Sequence, residues 1–403
     1  MLAEVAERMR DNFPYFHPLY AGQMMKPPHP VARLAYALAM WINPNNHALD
    51  GGRASSQMEN EAVAEIARMF GWHEHLGHLT SGGTMANLEA LWIAGQLKPG
   101  AAMLASEQAH YTHSRINSVL GLKFEAVACD RNGRMDVAAL EQRLARGGVG
   151  TVVATMGATA TGAVDPLAQI LALRERYDFR VHADAAYGGY FVLAENLAPA
   201  ARRAFDRLTE ADSIVIDPHK HGLQPYGCGC VLFRDPSAGR FYKHDSPDTY
   251  FSSSELHLGE ISLECSRPGA AAVALWATQK LLPLVRSGEF AQSLGKCRSA
   301  TLTLYEKLRA DRRFIVAFPP ELDILIWAPR PDVAGQRAPR VSEASEFSRR
   351  LFAEAAQRNL HPALAHLPAR FFALDGIEQD SDTLTCLRSV LMKPEHLDWL
   401  DRI

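Results

Sequence analysis

Several short stretches of this 403-residue chain carry side chains that could act together on a small charged molecule. In "SIVIDPHKHG" an apolar run rich in Ile and Val stops at Asp217-Pro218, and His219, Lys220 and His221 follow. Lys220 is the only lysine that directly follows an apolar run of this kind, which suits its amine to nucleophilic chemistry more than to a solvated surface. "HLTSGGTMANLEAL" sets Ser81-Gly82-Gly83-Thr84 at a helix start, with Met85, Leu88, Leu91 and Trp92 expected on one apolar side. Two glycines and a hydroxyl there offer backbone N–H groups and a positive dipole end, which serves a phosphate or simply caps the helix. In "RVHADAAYGGY", Asp184 closes an apolar run, and a lone carboxylate gives no metal cage. "SEQAHYTHSRI" adds His110, an imidazole able to lie flat on a ring or to serve as a polar helix residue.

These groups need a scaffold that brings them to one place. "AAMLAS", "FEAVAC", "TVVATMG", "FRVHADA", "SIVID" and "CGCVLF" are too short for helices and richly branched, so they read as strands of a mostly parallel, doubly covered sheet. Crossover helices lie between them. One is expected to start at Asp165 as N-cap with Pro166 at the first helical position, running through "LAQILALRERY". The alternation predicts an α/β domain, and each candidate residue falls at a strand's carboxyl end or the next helix start, where an open sheet makes its crevice.

The expected organisation is an amino-terminal arm over 1–50, a large cofactor-binding domain over 51–288 and a small α+β domain over 289–403. In the last, "EFAQSLGKCRSATLTLYEKLRA" is a long amphipathic helix and "FIVAFPPELDILIWAP" a strand pair, with "TLTCLRSVLM" one more strand before a final helix. Hydrophobic residues at 47%, charged residues at 22% and a net charge of -3 fit a soluble globular protein and give no footprint for nucleic acid. No stretch is long and apolar enough to span a bilayer, and the start "MLAEVAERMRDNFPY" reads as an amphipathic helix and not as a signal peptide. Six scattered cysteines without CxxC spacing suit free thiols, so a cytoplasmic location is expected. "GWHEHLGH" lacks carboxylate or thiol partners at ligand spacing, and it reads as a polar turn before a strand, with no metal site.

A phosphate cradle, a carboxylate and a crevice lysine together describe one cofactor, pyridoxal 5'-phosphate. It needs a phosphate site, an amine for a Schiff base, and an anion that keeps the pyridine nitrogen charged. From "FHPLYAG" to "LRSVLM", and most specifically in "HADAAYGG" and "DPHKHG", the chain resembles the group II pyridoxal phosphate-dependent amino acid decarboxylases. These include glutamate, tyrosine and aromatic amino acid enzymes and lie close to sphingosine phosphate lyase. The resemblance implies the fold type I transferase architecture, with decarboxylation of an L-amino acid to its amine by way of an external aldimine and a quinonoid. It implies that Lys220 is the Schiff-base lysine, Asp184 the pyridinium partner and His110 the stacked imidazole. Gly83 and Thr84 would hold the phosphate with help from His219, Ala186 would touch the ring face, and Asp217 stands where several relatives carry Asn. The family's "GTT" appears here as Gly157-Ala158-Thr159, which removes any hydroxyl contact at 158.

"HDSPDTYFSSSEL" is similar to the decarboxylases' mobile loop, and Tyr250 falls at the tyrosine that protonates the substrate carbon. Relatives with phenylalanine there tend towards aldehydes, so tyrosine implies simple decarboxylation, although an aromatic anchor is the other use of such a residue. Arg388 matches an arginine that meets the substrate carboxylate in glutamate decarboxylases, or it is salt-bridged within the small domain. Gln23, Lys26, Asn46, His47 and Arg53 tilt the substrate side chain towards polar or acidic, while Tyr20, Met24, Met25 and Trp41 leave an aromatic one open. The resemblance further implies a homodimer with each site at the interface. Two alternatives are a carbon-carbon lyase of the sphingosine phosphate lyase type, which needs a second basic patch, and a decarboxylating aldehyde synthase. A non-catalytic binding protein would have little need to keep Lys220, Asp184, His110 and Tyr250 together.

Overall fold

Seven strands form the main sheet: β1 (Leu76–Thr80), β2 (Ala102–Ser106), β3 (Phe124–Val127), β4 (Val149–Thr155), β5 (Arg180–Asp184), β6 (Ser213–Ile216) and β7 (Gly229–Phe233). Their order is β1-β7-β6-β5-β4-β2-β3, and β2 through β6 pair in parallel while β7 runs antiparallel to both neighbours. All six branched runs expected to be strands are strands. The residues of β2, β4, β6 and β7 are buried without exception, which is why those runs show no polar alternation.

The computed structural model describes residues 1–243, 258–332 and 337–403, and the chain divides into two units, Pro28–Gly295 and Met1–Pro27 with Lys296–Ile403. In the first unit, helix Leu49–Met69 packs on β1, helix Thr112–Leu120 on β3, and helix Gly83–Leu97 across β7, β6, β5 and β4. The expected one-sided apolar face of helix Gly83–Leu97 is not what forms. Ala86, Ala90 and Ile93 pack in one apolar cluster with Val215, Val231 and Phe233, while Leu91 and Ala94 pack in another with Met103, Ile116 and Val153. The helix is central and covered on two sides, and each fully buried Leu or Ile in it contributes about 1.5–3 kcal/mol. That anchoring fixes its amino terminus.

Two further expectations are corrected in this unit. Asp165 is not a helix cap: its carboxylate accepts from Met135 N (2.7 Å) and Thr155 N (2.8 Å), and the shorter helix Leu167–Ala172 starts after Pro166. Two main-chain N–H groups distant in sequence outcompete a local cap because they would otherwise be buried unpaired. His78 lies inside β1 and not in a turn, fully buried with Nε2 2.9 Å from Glu89 Oε2, so its partner comes from the next helix.

The second unit holds an antiparallel sheet in the order β10-β11-β9-β8, from β8 (Phe314–Val316), β9 (Ile324–Pro329), β10 (Ala363–Pro368) and β11 (Thr383–Val390). Helix Val341–Gln357 packs on β9 and β11. Leu304, Val316, Leu325, Trp327 and Leu387 form its core together with Ala21, whose backbone bonds His361 and Val390. The expected final helix is the 3-10 segment Pro394–Trp399. No helix among the described residues is long and apolar enough to cross a membrane.

Candidate active site

Gly83, Thr84, His110, Asp184, Ala186, Asp217, His219 and Lys220 line one cavity of about 320 Å3 in the sheet-bearing unit. The fold brings them together because β1, β2, β5 and β6 each end at the same rim, and each residue follows its strand by at most four positions.

The cradle at the start of helix Gly83–Leu97 is built by close approach. Thr80 Oγ1 donates to the carbonyl of Gly82 (3.0 Å), and Glu264 Oε2 accepts from Ser81 N (2.8 Å), which curls the turn. The first intrahelical bond is Ala86 N to Gly82 O, so the N–H groups of Gly83 and Thr84 have no helical partner. A Cβ on Gly83 would lie 2.6 Å from Asp217 Oδ2, and one on Gly229 2.6 Å from Thr80 Oγ1 and from the carbonyl carbon of Gly82. Only glycine fits at either place.

Asp184 sits at the end of β5, almost wholly buried, with Oδ2 2.8 Å from His113 Nε2 and Oδ1 accepting from Ala186 N at 3.2 Å. Burial pushes its carboxyl upward. The His113 hydrogen bond, together with the charges of His113 and Lys220, outweighs that and holds it well below the usual carboxylate range. Its neighbour on the strand, His182, is pushed down to about 3, chiefly by burial, and hydrogen-bonds Asn87 Oδ1 and Ser213 Oγ, each at 2.8 Å. The amide oxygen only accepts, so His182 is a neutral imidazole with its proton on Nε2.

Lys220 Nζ lies 2.9 Å from Asp217 Oδ2. Asp217 Oδ1 and Thr155 Oγ1 are buried with no hydrogen-bond partner among the described residues. His219 Nδ1 meets the carbonyl of Cys228 at 2.8 Å and so carries its proton there, leaving Nε2 3.7 Å from Asp217 Oδ2. Burial, above all, lowers His219. His110 is lowered in the same way, chiefly by burial, and its Nδ1 accepts from Thr112 N (3.3 Å) and pairs with Thr112 Oγ1 (2.8 Å). The ring is therefore neutral and fixed in orientation.

Tyr250 lies outside the described residues. His47 is held elsewhere in the same unit, its carbonyl accepting from Gly259 N at 2.9 Å and its Nδ1 3.5 Å from Cys265 Sγ, and it does not line the cavity. Gln23 and Arg388 belong to the other unit, where Gln23 is exposed and buried Arg388 donates from Nη1 to the carbonyl of Gly22 at 2.9 Å. Sequence reasoning missed His113, Asn87, Thr112, Thr155 and His182. The one signal for His113 was its place three residues after His110, which sets both imidazoles towards one side of a helix start.

These donors fit pyridoxal phosphate. The helix start can take a phosphate, the ionised Asp184 can take a protonated ring nitrogen, and Lys220 supplies an amine at the same cavity, where the Thr155 hydroxyl beside Asp184 has no partner among the described residues. Ala158 is buried and its amide bonds Ala163 O, so no hydroxyl contact exists at 158, while Gly157 and Thr159 line the cavity.

Residues 91–327 match the pyridoxal-dependent decarboxylase conserved domain. The chain is 28% identical over 396 residues to an L-tyrosine decarboxylase of Enterococcus faecium, an alignment covering 73% of this chain and 65% of that protein. It is 29% identical over 287 residues to an L-aspartate decarboxylase of Thermococcus kodakarensis, covering 70% and 72%. This chain thus spans less than two thirds of the tyrosine decarboxylase's length. Mouse CSAD in apo form has the same fold, with a TM-score of 0.83 at 21% identity over 99% of this chain and 86% of that one.

Proposed function

The chain belongs to the pyridoxal-dependent decarboxylase family, and from that premise we propose that it removes carbon dioxide from an L-amino acid to give the amine, with pyridoxal phosphate as cofactor. The observation that carries this reading is one cavity that combines a glycine-built helix start, a buried carboxylate kept ionised by His113, and the Lys220 amine.

When bound, the cofactor supplies an electron sink for the pair left on the substrate carbon. Gly83 and Thr84 would hold its phosphate through backbone N–H groups at the helix start, assisted by His219. Asp184 would hold the ring nitrogen charged, and His113 keeps that carboxylate oriented and ionised. His110 and Ala186 would bound the ring's faces, with the neutral His110 excluding water from one of them. Lys220 would bind the cofactor's aldehyde carbon, and its present partner Asp217 keeps the amine close to the rim. Proton delivery to the substrate carbon is assigned to Tyr250 by resemblance.

The decarboxylase reading is favoured over the lyase of phosphorylated amino alcohols because Lys220 is the single lysine or arginine among the described residues that line the cavity. A second phosphate would need more. Relatives named for tyrosine and for aspartate are similar to nearly the same degree, which supports an aromatic or an acidic substrate side chain. A homodimer with the site at the interface is supported by the exposed Leu34, Leu38, Trp41 and Ile42 at the end of helix Pro30–Met40. A cytoplasmic location rests on six free cysteines.

The test is purified protein with cofactor and a panel of L-amino acids. Gas and amine should appear in equal amounts for one substrate class, and Lys220→Ala should abolish both. Transamination or aldehyde formation alone would overturn the proposal.

A further inference from the structure

A second cavity, of about 170 Å3, lies where helices Leu49–Met69 and Gly269–Leu281 meet. Its lining has the chemistry of an ammonium receptor. Glu61 and Glu65 stand one turn apart on the first helix, and Trp276, Gln279 and Lys280 stand at helical spacing on the second. Trp276 Nε1 donates to Glu61 Oε2 at 2.7 Å, which fixes an anionic oxygen beside an indole ring. Lys280 shows what such a place accepts: its Nζ is 5.2 Å from the Trp276 ring centre and 3.8 Å from Glu61 Oε2. That pair is loose and half exposed, with 56% of the lysine side chain and 43% of the glutamate side chain accessible, so it contributes little and is easily displaced.

Gln279 is the independent observation. Its residue is only 8% exposed, it lines the cavity, and neither its Nε2 nor its Oε1 has a hydrogen-bond partner among the described residues. A buried amide with both ends unsatisfied is costly unless something in the cavity meets it. Arg68 already pairs with Glu65 at 2.7 Å, so the charge left for a ligand is that of Glu61. Pro283 and Leu284 supply an apolar wall.

We propose that this pocket binds a primary alkylammonium molecule, its cation between Glu61 and the Trp276 ring in place of the Lys280 ammonium, and its stem against Pro283 and Leu284 beside the Gln279 amide. The site is built within one unit and shares no residue with the cofactor cavity. It does not depend on the decarboxylase reading.

The test is calorimetric titration of the cofactor-loaded protein with n-butylammonium chloride, with n-butanol as the uncharged control. Wild type should bind the ammonium saturably and ignore the alcohol. Glu61→Gln, which keeps the acceptor for Trp276 but removes the charge, should weaken binding by about tenfold or more. Gln279→Leu should weaken it as well. Lys280→Ala removes the internal competitor and should tighten binding by several fold, an outcome that a purely structural Glu61–Lys280 pair does not produce. Binding that survives in Lys220→Ala separates this pocket from the cofactor cavity. Absence of saturable binding, equal affinity in the Glu61 and Lys280 variants, or loss only in the Lys220 variant would each overturn the proposal, and Lys280→Ala decides it even if the Glu61 variant fails to fold.

Discussion

Replacing His113 with leucine isolates what the buried imidazole does for Asp184. The two side chains are 1% and 6% exposed and 2.8 Å apart, and after the change the carboxylate keeps, among the described residues, the Ala186 N–H at 3.2 Å. A hydrogen bond to a charged group is worth about 1.5–3 kcal/mol, and breaking a buried pair costs about 3–5 kcal/mol. About 3 kcal/mol is therefore at stake, a factor of roughly 150 at 1.4 kcal/mol per tenfold. In the native protein the depressed carboxyl is ionised throughout the neutral range, so its contribution is present above its ordinary value of 3.8 and is lost only as pH falls through the lower folded value. In His113→Leu, burial becomes the ruling effect and the carboxyl rises above its ordinary value. Cofactor affinity, read from absorbance titrations between pH 5 and 8, should then be roughly 100-fold weaker at low pH and recover as pH rises, while wild type stays flat. His113→Gln, which restores an N–H donor, should recover much of the loss. Wild-type affinity with a flat profile in the leucine variant would refute the reasoning.

Other consequences follow from the same geometry. Gly83→Ala puts a methyl 2.6 Å from Asp217 Oδ2 and should weaken cofactor binding by about tenfold or more with the circular dichroism spectrum unchanged, since only the cradle is disturbed. His182, held neutral down to about 3, makes the protein lose stability as pH drops below its ordinary 6.5, by about 1.4 kcal/mol per unit for this one group until its folded value is reached. Denaturant midpoints from pH 7 to 4 should fall less steeply in His182→Asn if that is right. Tyr250→Phe should move product from amine towards aldehyde, measured by chromatography. Mixing Lys220→Ala with Tyr250→Phe chains should recover some gas release if the loop serves a neighbouring subunit, whereas no recovery counts against sharing.

The strands β2, β4, β5, β6 and β7 were legible because burial on both faces leaves a simple mark, a short branched run between turn residues, whereas β3 exposes Glu125 and Ala126 and carries that mark only in part. Tertiary competition was not legible. Asp165 looked like a cap from its neighbours alone, but two N–H groups 30 and 10 residues away claim its carboxylate, and no local pattern announces them. His78 looked like part of a polar turn because its partner, Glu89, lies on the far side of the glycine turn.

The same reasoning separates the parts of the site. Lys220, Asp184 and the glycine turn were visible because each is a chemical oddity at the end of an apolar run. His113 was not, for a topological reason. It lies 71 residues before Asp184, in the helix after β2, and β4 stands between β2 and β5 in the sheet. The pair forms only because a parallel sheet brings every strand's carboxyl end to one rim, where a helix start after one strand can reach across to a residue closing another. A carboxylate that ends a buried parallel strand must find its counter-charge at that rim or take up a proton, since burial alone would push Asp184 upward. The residues to search for that partner are therefore the first turns of helices that follow other strands of the sheet. Here that search covers the starts after β1, β2, β3 and β4, and among their described residues His110 and His113 are the only imidazoles. His110 has its Nδ1 committed to Thr112, which leaves His113 to keep the carboxylate charged.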